Sequence, residues 1–401
     1  MNVRRSQLLL ATAQAVYSSS VQLAVALSTV TFVLVTGFTA LLGIGPAIFL
    51  TSAALAAFPA GRAMDRVGRV PVLAAGYLAG AAGGVTTALG VRSGSGVVVI
   101  CGFVLIGCAN GTIQLLRTAA GDLVPPSRRA RGIAVVLVGS IAGALLGPLV
   151  FSPLFAGKDL GADALFVPWL ASAGLMLLGL AVVLCVRPDP KRVAEEIGGG
   201  AAAVGEPAPL REIVRRPGAI PALVGAQASY AVMTSVMNLT GYVVVHEHGH
   251  AQSDVFPIIA AHVVGMYGLV LVIGPLIDAI GRTRALTAGL FVMGVSVASL
   301  LAVSSVHATA MSLMGLGIGW NIAFVAATAE LSDLTSPAER GRLLGTSDLV
   351  SSLLGASLAL AGGYALAALG VVAIAVGGTV LAVLPGLWIA TTARRTVALP
   401  A

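Results

Sequence analysis

Apolar runs of about 20 residues recur along the whole chain, and each is long enough to cross about 30 Å of hydrocarbon as a helix. In such a solvent the backbone must satisfy its own polar groups, so only helices and closed barrels can span it. A barrel would show short segments of alternating polarity, and the chain has none. Charged residues make up 10% of the sequence and mean hydropathy is +0.99. A water-soluble surface needs about a quarter charged residues, so the medium around this chain is lipid. Fifty glycines fit the same reading, because small residues let membrane helices approach closely. The prediction is an all-α membrane protein. Its twelve spans lie at 8–31, 38–60, 72–91, 96–118, 131–155, 165–187, 219–245, 254–277, 285–304, 308–331, 342–363 and 369–391.

Charge placement orients the spans. A polar stretch, 188–217, separates an N-terminal half, 1–187, from a C-terminal half, 218–401. With the N-terminus inside, 21 of the 23 Lys and Arg residues fall on the cytoplasmic side, and only Arg92 and Lys158 fall outside. This satisfies the positive-inside rule. It explains a pI of about 9.8 without nucleic acid. An even number of crossings puts both termini in the cytoplasm, in a bacterial inner membrane. The first run follows Arg4 and Arg5 but is too long for a cleaved leader, so it reads as an uncleaved helix. Cys101, Cys108 and Cys185 lack metal-finger spacing and read as small core residues.

The chain also repeats itself. Gly61-Arg-Ala-Met-Asp65-Arg66-Val-Gly68-Arg69 follows the second span, and Gly274-Pro-Leu-Ile-Asp278-Ala-Ile-Gly281-Arg282 follows the eighth, 213 residues later. Asn110 and Asp122 recur as Asn321 and Asp333 at an offset of 211. Two offsets near half the chain length mean a duplicated six-span unit, the plan transporters use to rock around a central site.

The first of these loops resembles the loop signature of the major facilitator superfamily. The resemblance implies twelve transmembrane helices in two pseudo-symmetric six-helix halves, and secondary active transport by alternating access. Gly61, Asp65, Arg66, Gly68, Arg69, Asp278, Gly281 and Arg282 are then the cytoplasmic gate. The carboxylates pair with basic groups near helix ends, and the glycines supply tight turns and close contact. Gly143-Ala-Leu-Leu-Gly147-Pro148 is similar to an element of antiporters in that family. Physically it is a small-residue packing face with a kink.

Soft ligands gather in the second half. Met233 and Met237 share one face of the seventh span, and His262 and Met266 share one face of the eighth. Counted from the outer ends, the pairs lie level, about 12 and about 18 Å deep. Thioether and imidazole ligands suit a soft ion, above all cuprous copper. A histidine inside a span is a functional hypothesis by default. His246, His248 and His250 in the joining loop would collect metal from outside. This pair of motifs resembles the CcoA-type copper importers, a bacterial branch of the same superfamily. The resemblance makes Met233, Met237, His262 and Met266 the copper ligands and copper the cargo. One departure is that the branch's functional cysteines have no counterpart at those places here. A related member of the branch is linked to riboflavin uptake, so the fold leaves the cargo open.

Polar groups inside the spans complete the reading. Gln14, Tyr17, Gln22, Asn110, Tyr230, Asn238, Trp320 and Asn321 are expected to line the cavity. Asp348 and Glu330 are the acids placed for proton coupling, and both are also placed to pair with Arg117, Arg340 or Arg342 at the inner gate. The leading expectation is therefore copper import. The alternative is proton-coupled transport or efflux of a small organic compound such as a drug, metabolite or vitamin. Neither needs a prosthetic group, a nucleic acid or an enzymatic centre. The expected partners are the bilayer and a metal ion or small-molecule substrate, and the expected state is a monomer.

Overall fold

The computed structural model describes residues 3–38, 42–125, 129–155, 161–198, 208–335 and 337–397. Among them there is no strand. The N-terminal half is built of α1 (Val3–Thr36), α2 (Ile44–Val67), α3 (Arg69–Arg92), α4 (Gly96–Ile113), α5 (Leu116–Asp122), α6 (Arg129–Phe155) and α7 (Phe166–Leu184). Two short helices follow, α8 (Pro190–Gly198) and α9 (Leu210–Val214). The C-terminal half holds α10 (Ala219–Tyr242), α11 (Gln252–Tyr267), α12 (Val270–Ile280), α13 (Arg282–Ala298), α14 (Val306–Asp333), α15 (Pro337–Leu369) and α16 (Val371–Val397).

Eleven helical stretches are long and apolar enough to cross a membrane, and α11 with α12, inclined at 52°, make a twelfth as one broken span. The chain is thus a multi-pass membrane protein with the expected all-α fold. Large apolar residues such as Leu55, Phe58, Val97, Leu149 and Leu369 remain exposed on its flanks, as a lipid-facing surface requires. Cys101 and Cys185 are exposed there too, so the expectation of core cysteines fails for both. A thiol is apolar enough to face hydrocarbon.

Several boundaries moved for local reasons. The second span starts at Ile44 rather than 38, because Gly37 (φ +74°) turns the chain out of α1. It then runs through Gly61 to Val67 and stops at Gly68, whose φ of +110° only glycine adopts without strain. Gly61 is therefore helical and makes no turn, while Gly68 and Gly281 (φ +88°) do. The seventh span widens into a π turn, Val243–Glu247, so His246 is helical rather than part of a loop.

The halves meet at one end. Away from the basic loops, Gly363 abuts Gly43, and Gly241 abuts Ala26, backbone on backbone. There Phe256 of α11 stacks between Phe151 and Phe155 of α6, and one large apolar core contains residues of both halves. Toward the basic end the buried apolar residues split. One cluster runs from Leu10 through Tyr17 and Tyr77 to Val193 of α8, all within the first half and α8. The other joins Ile213 of α9 to Ala222, Leu331 and Leu343. Apolar packing thus joins the halves at the end opposite the basic loops, while the two smaller apolar clusters each keep to one side of the chain.

Candidate functional site

The duplicated loops form duplicated ion pairs. Arg69 Nε meets Asp122 Oδ2 at 2.8 Å, and Arg282 Nε meets Asp333 Oδ2 at 2.6 Å. Arg69 and Arg282 are 213 residues apart and the acids 211, so one pair is the repeat of the other. Arg282 also reaches Asp278 at 3.5 Å. The side chain of Asp65 lies outside the described residues. Arg66 is exposed, and its carbonyl accepts from Lys191 Nζ at 3.1 Å. Asp189, unremarked in the sequence, accepts the Arg69 and Val70 backbone N–H groups at 3.0 and 2.9 Å. It thereby caps α3 from across the chain, where the helix dipole favours an anion.

The soft-ligand residues lie on two helices, Met233 and Met237 on α10 and His262 and Met266 on α11. Met233, Met237, His262 and Met266 are all buried. However, α10 packs on α15, α14 and α16, whereas α11 packs on α14 and α6, and the two helices meet only marginally. His262 donates from Nδ1 to the Leu313 carbonyl of α14 at 2.8 Å, and its Nε2 has no partner among the described residues. The Met266 carbonyl accepts from Asn321 Nδ2.

Of the three histidines after the seventh span, His248 and His250 meet edge to face at 6.3 Å. His246 stacks on Tyr242 at 4.2 Å, and His250 bonds the Ser304 carbonyl. His248 has a buried, unpartnered Nδ1, and burial beside His250 holds its pKa below the ordinary imidazole value. Among the described residues no group of three or more His, Cys, Asp or Glu side chains is placed to hold a metal ion.

The polar lining converges better, and it too is duplicated. Gln14 and Tyr17 on α1 recur as Gln227 and Tyr230 on α10, at the 213-residue offset of the loops. Gln14 Nε2 bonds Ser140 of α6 at 3.0 Å, and Gln227 Nε2 bonds Ser347 of α15 at 3.1 Å. Each half thus ties its first span to its fifth. Tyr17 donates to Asn110. The two tyrosines and Tyr267 of α11 lie within electrostatic reach of one another. Tyr267 meets Trp320 edge to face at 6.3 Å, and Trp320 stacks on Phe324 at 5.0 Å. The Trp320 Nε1 donor is buried without a partner. Gln22 bonds the Gly143 carbonyl at 2.8 Å and Asn238 the Thr234 carbonyl at 2.7 Å, so both serve packing between or within helices. Glu330 sits apart, with Arg282 in a cleft of about 230 Å³ between α10, α13, α14 and α16. Asp348 pairs with Arg117 of α5 at 3.4 Å, across the two halves.

A twelve-span, internally duplicated scaffold with a polar and aromatic centre is the geometry of a transporter. The Major Facilitator Superfamily model matches residues 8–359. The chain belongs to the Major Facilitator Superfamily. A riboflavin transporter, RfnT, of Brucella anthropi is 31% identical over 353 residues, covering 86% of this chain and 85% of that protein. YdeG of Bacillus subtilis, an uncharacterized transporter of the same superfamily type, is 29% identical over 357 residues, 87% of this chain and 82% of its own. Among solved structures, a D-xylose-proton symporter superposes with a TM-score of 0.74 at 16% identity over 97% of both chains. A POT family transporter does so with 0.76 at 14% identity, over 98% of this chain and 96% of its own. These structural likenesses speak for the fold alone. None of these relatives is a copper importer by description, so the CcoA-type branch gains no support from them.

Tyr267 and Phe324 escaped the sequence reading, and so did Asp122, Asp333 and Asp189 as pairing partners. The 213-residue offset, applied inside the spans as well as to the loops, would have exposed Gln227 and Tyr230 as the repeat of Gln14 and Tyr17.

Proposed function

We propose that this protein is a secondary active transporter of a small, flat, heteroaromatic compound of the riboflavin type. It works by alternating access in a bacterial cytoplasmic membrane with both termini inside. The observation that carries the reading is the aromatic wall Tyr267, Trp320 and Phe324 with the orphaned Trp320 Nε1 donor, close to the repeated pair Tyr17 and Tyr230. Flat rings stack on aromatic faces, and a few convergent polar groups orient a ligand in an otherwise apolar seat. The similarity to a riboflavin transporter supports the same cargo class. The sidedness rests on the basic loops.

Copper is the second reading. His262 favours it, because a carbonyl fixes Nδ1 and leaves Nε2 unpartnered, as metal-bound histidines are commonly held. Against it stands the similarity to RfnT, a riboflavin transporter rather than a copper importer by description. The test is uptake of riboflavin and of copper by cells carrying the protein, with Trp320→Ala and His262→Ala variants that reach the membrane. Riboflavin uptake lost with Trp320→Ala is the expected result. Copper uptake lost with His262→Ala, and no riboflavin uptake, would replace the first reading with the second.

A further inference from the structure

Arg117 and Asp348 have no counterparts in the repeat. The 211-residue offset that relates Asn110 and Asp122 to their copies places Thr328 opposite Arg117. The offsets of 211 and 213 place Leu137 and Val135 opposite Asp348. The gate pairs are made twice, once per half. This pair is made once, between the halves.

Its geometry is that of a pair available to something else. A single Nη2 to Oδ2 contact of 3.4 Å joins the side chains, and they are 46% and 51% exposed. A guanidinium carries five N–H donors in a fixed fork and a carboxylate about four acceptor sites, so most of both remain open. An exposed pair of this kind holds two elements together only weakly. It also borders the aromatic cluster. Arg117 lies within electrostatic reach of Tyr230 and Tyr267, and Asp348 of Tyr230. Ser352 is one turn beyond Asp348 and donates to the Asp348 carbonyl at 2.9 Å.

The repeated tyrosines supply the same chemistry from both halves. An asymmetric ligand needs an asymmetric group to fix which way it lies, and Arg117 with Asp348 supplies one. We propose that these two residues read an imide-type edge of the cargo, a ring N–H flanked by ring carbonyls. Arg117 donates to a carbonyl oxygen, and Asp348 accepts from the neighbouring N–H. Flat heterocycles with that edge, such as flavins, lumazines and uracil-type rings, match it. Hydrocarbon rings and purely cationic compounds do not. This assignment rests on the flat-cargo reading and specifies its polar edge.

The test uses full-length protein in lipid nanodiscs, titrated with riboflavin and with N3-methylriboflavin, whose imide N–H is blocked. Loss of one matched donor in a built polar site weakens binding by about tenfold or more, so the wild type should prefer riboflavin by at least that ratio. Asp348→Leu, of similar size but with no acceptor, should bring the ratio to about one. Equal affinity of the wild type for both flavins would overturn the imide assignment and leave the flat-cargo reading standing. An undiminished ratio in Asp348→Leu would do the same. No riboflavin binding by the wild type would overturn that reading and this assignment with it. If Asp348→Leu does not fold, the wild-type ratio alone decides.

Discussion

Arg117 of the first half and Asp348 of the second face each other at 3.4 Å. The two repeated pairs, Arg69 with Asp122 and Arg282 with Asp333, each stay within one half. Each of these two pairs braces its own half, while Arg117 and Asp348 join one half to the other.

The gate pairs are repeats in sequence but not in burial. Arg69 and Asp122 are 13% and 12% exposed, whereas Arg282 and Asp333 are 31% and 59% exposed. Removing one partner of a buried pair costs about 3–5 kcal/mol, while an exposed pair contributes about 0–1 kcal/mol. Asp122→Ala should lower the thermal midpoint markedly and Asp333→Ala hardly at all. Equal shifts in a melting assay would show that burial does not set the difference.

The end opposite the basic loops depends on bare backbone contact. A Cβ at Gly43 would run into the Ala359 carbonyl of α15. Gly43→Val should hold α2 and α15 apart and favour opening at that end. The readout is labelling of a cysteine placed at Ala26 by a membrane-impermeant thiol reagent, in a background without Cys101, Cys108 and Cys185. Labelling should rise severalfold and transport should fall. Unchanged labelling in an inserted protein would contradict the contact's role.

His262 ties α11 to α14 through the Leu313 carbonyl. Its loss leaves a buried polar group unpaired, at a cost of about 1–3 kcal/mol. Under the flat-cargo reading His262→Leu lowers stability and leaves the riboflavin KM near its wild-type value. A large KM change at unchanged stability would move His262 into the cargo seat.

Burial and the neighbouring His250 lower the His248 pKa, against the opposing pull of Glu247. A histidine whose folded pKa lies below the ordinary value of about 6.5 is a source of stability above that pH. The stability is lost as pH falls through the lowered folded value. Wild-type protein should therefore lose thermal stability on acidification below about pH 6.5, and His248→Gln should flatten that slope. Parallel pH profiles would exclude His248 as the cause.

The scaffold was legible because hydrophobic length, the placement of 23 basic residues and a repeat at a fixed offset are properties of a linear string. Span two was misplaced at its start because the apolar run continues through the turn after Gly37. The site was legible only in part. Helical spacing correctly puts Met233 with Met237 and His262 with Met266, but it says nothing of which helix lies opposite. That α14 packs against both α10 and α11 appears only in the fold. Tyr17 and Tyr230 were picked as polar groups in apolar spans. Their partnership with Tyr267, Trp320 and Phe324 exists only once the two halves are folded together.

The most direct measurement is riboflavin transport by the purified protein in liposomes, wild type against Tyr230→Ala and Trp320→Ala, with folding checked by melting. The account predicts saturable counterflow of riboflavin in the wild type and a loss of at least about tenfold in each variant, the scale of removing a well-packed aromatic contact. Counterflow that is absent from well-folded wild-type protein, or unchanged in both variants, would contradict it.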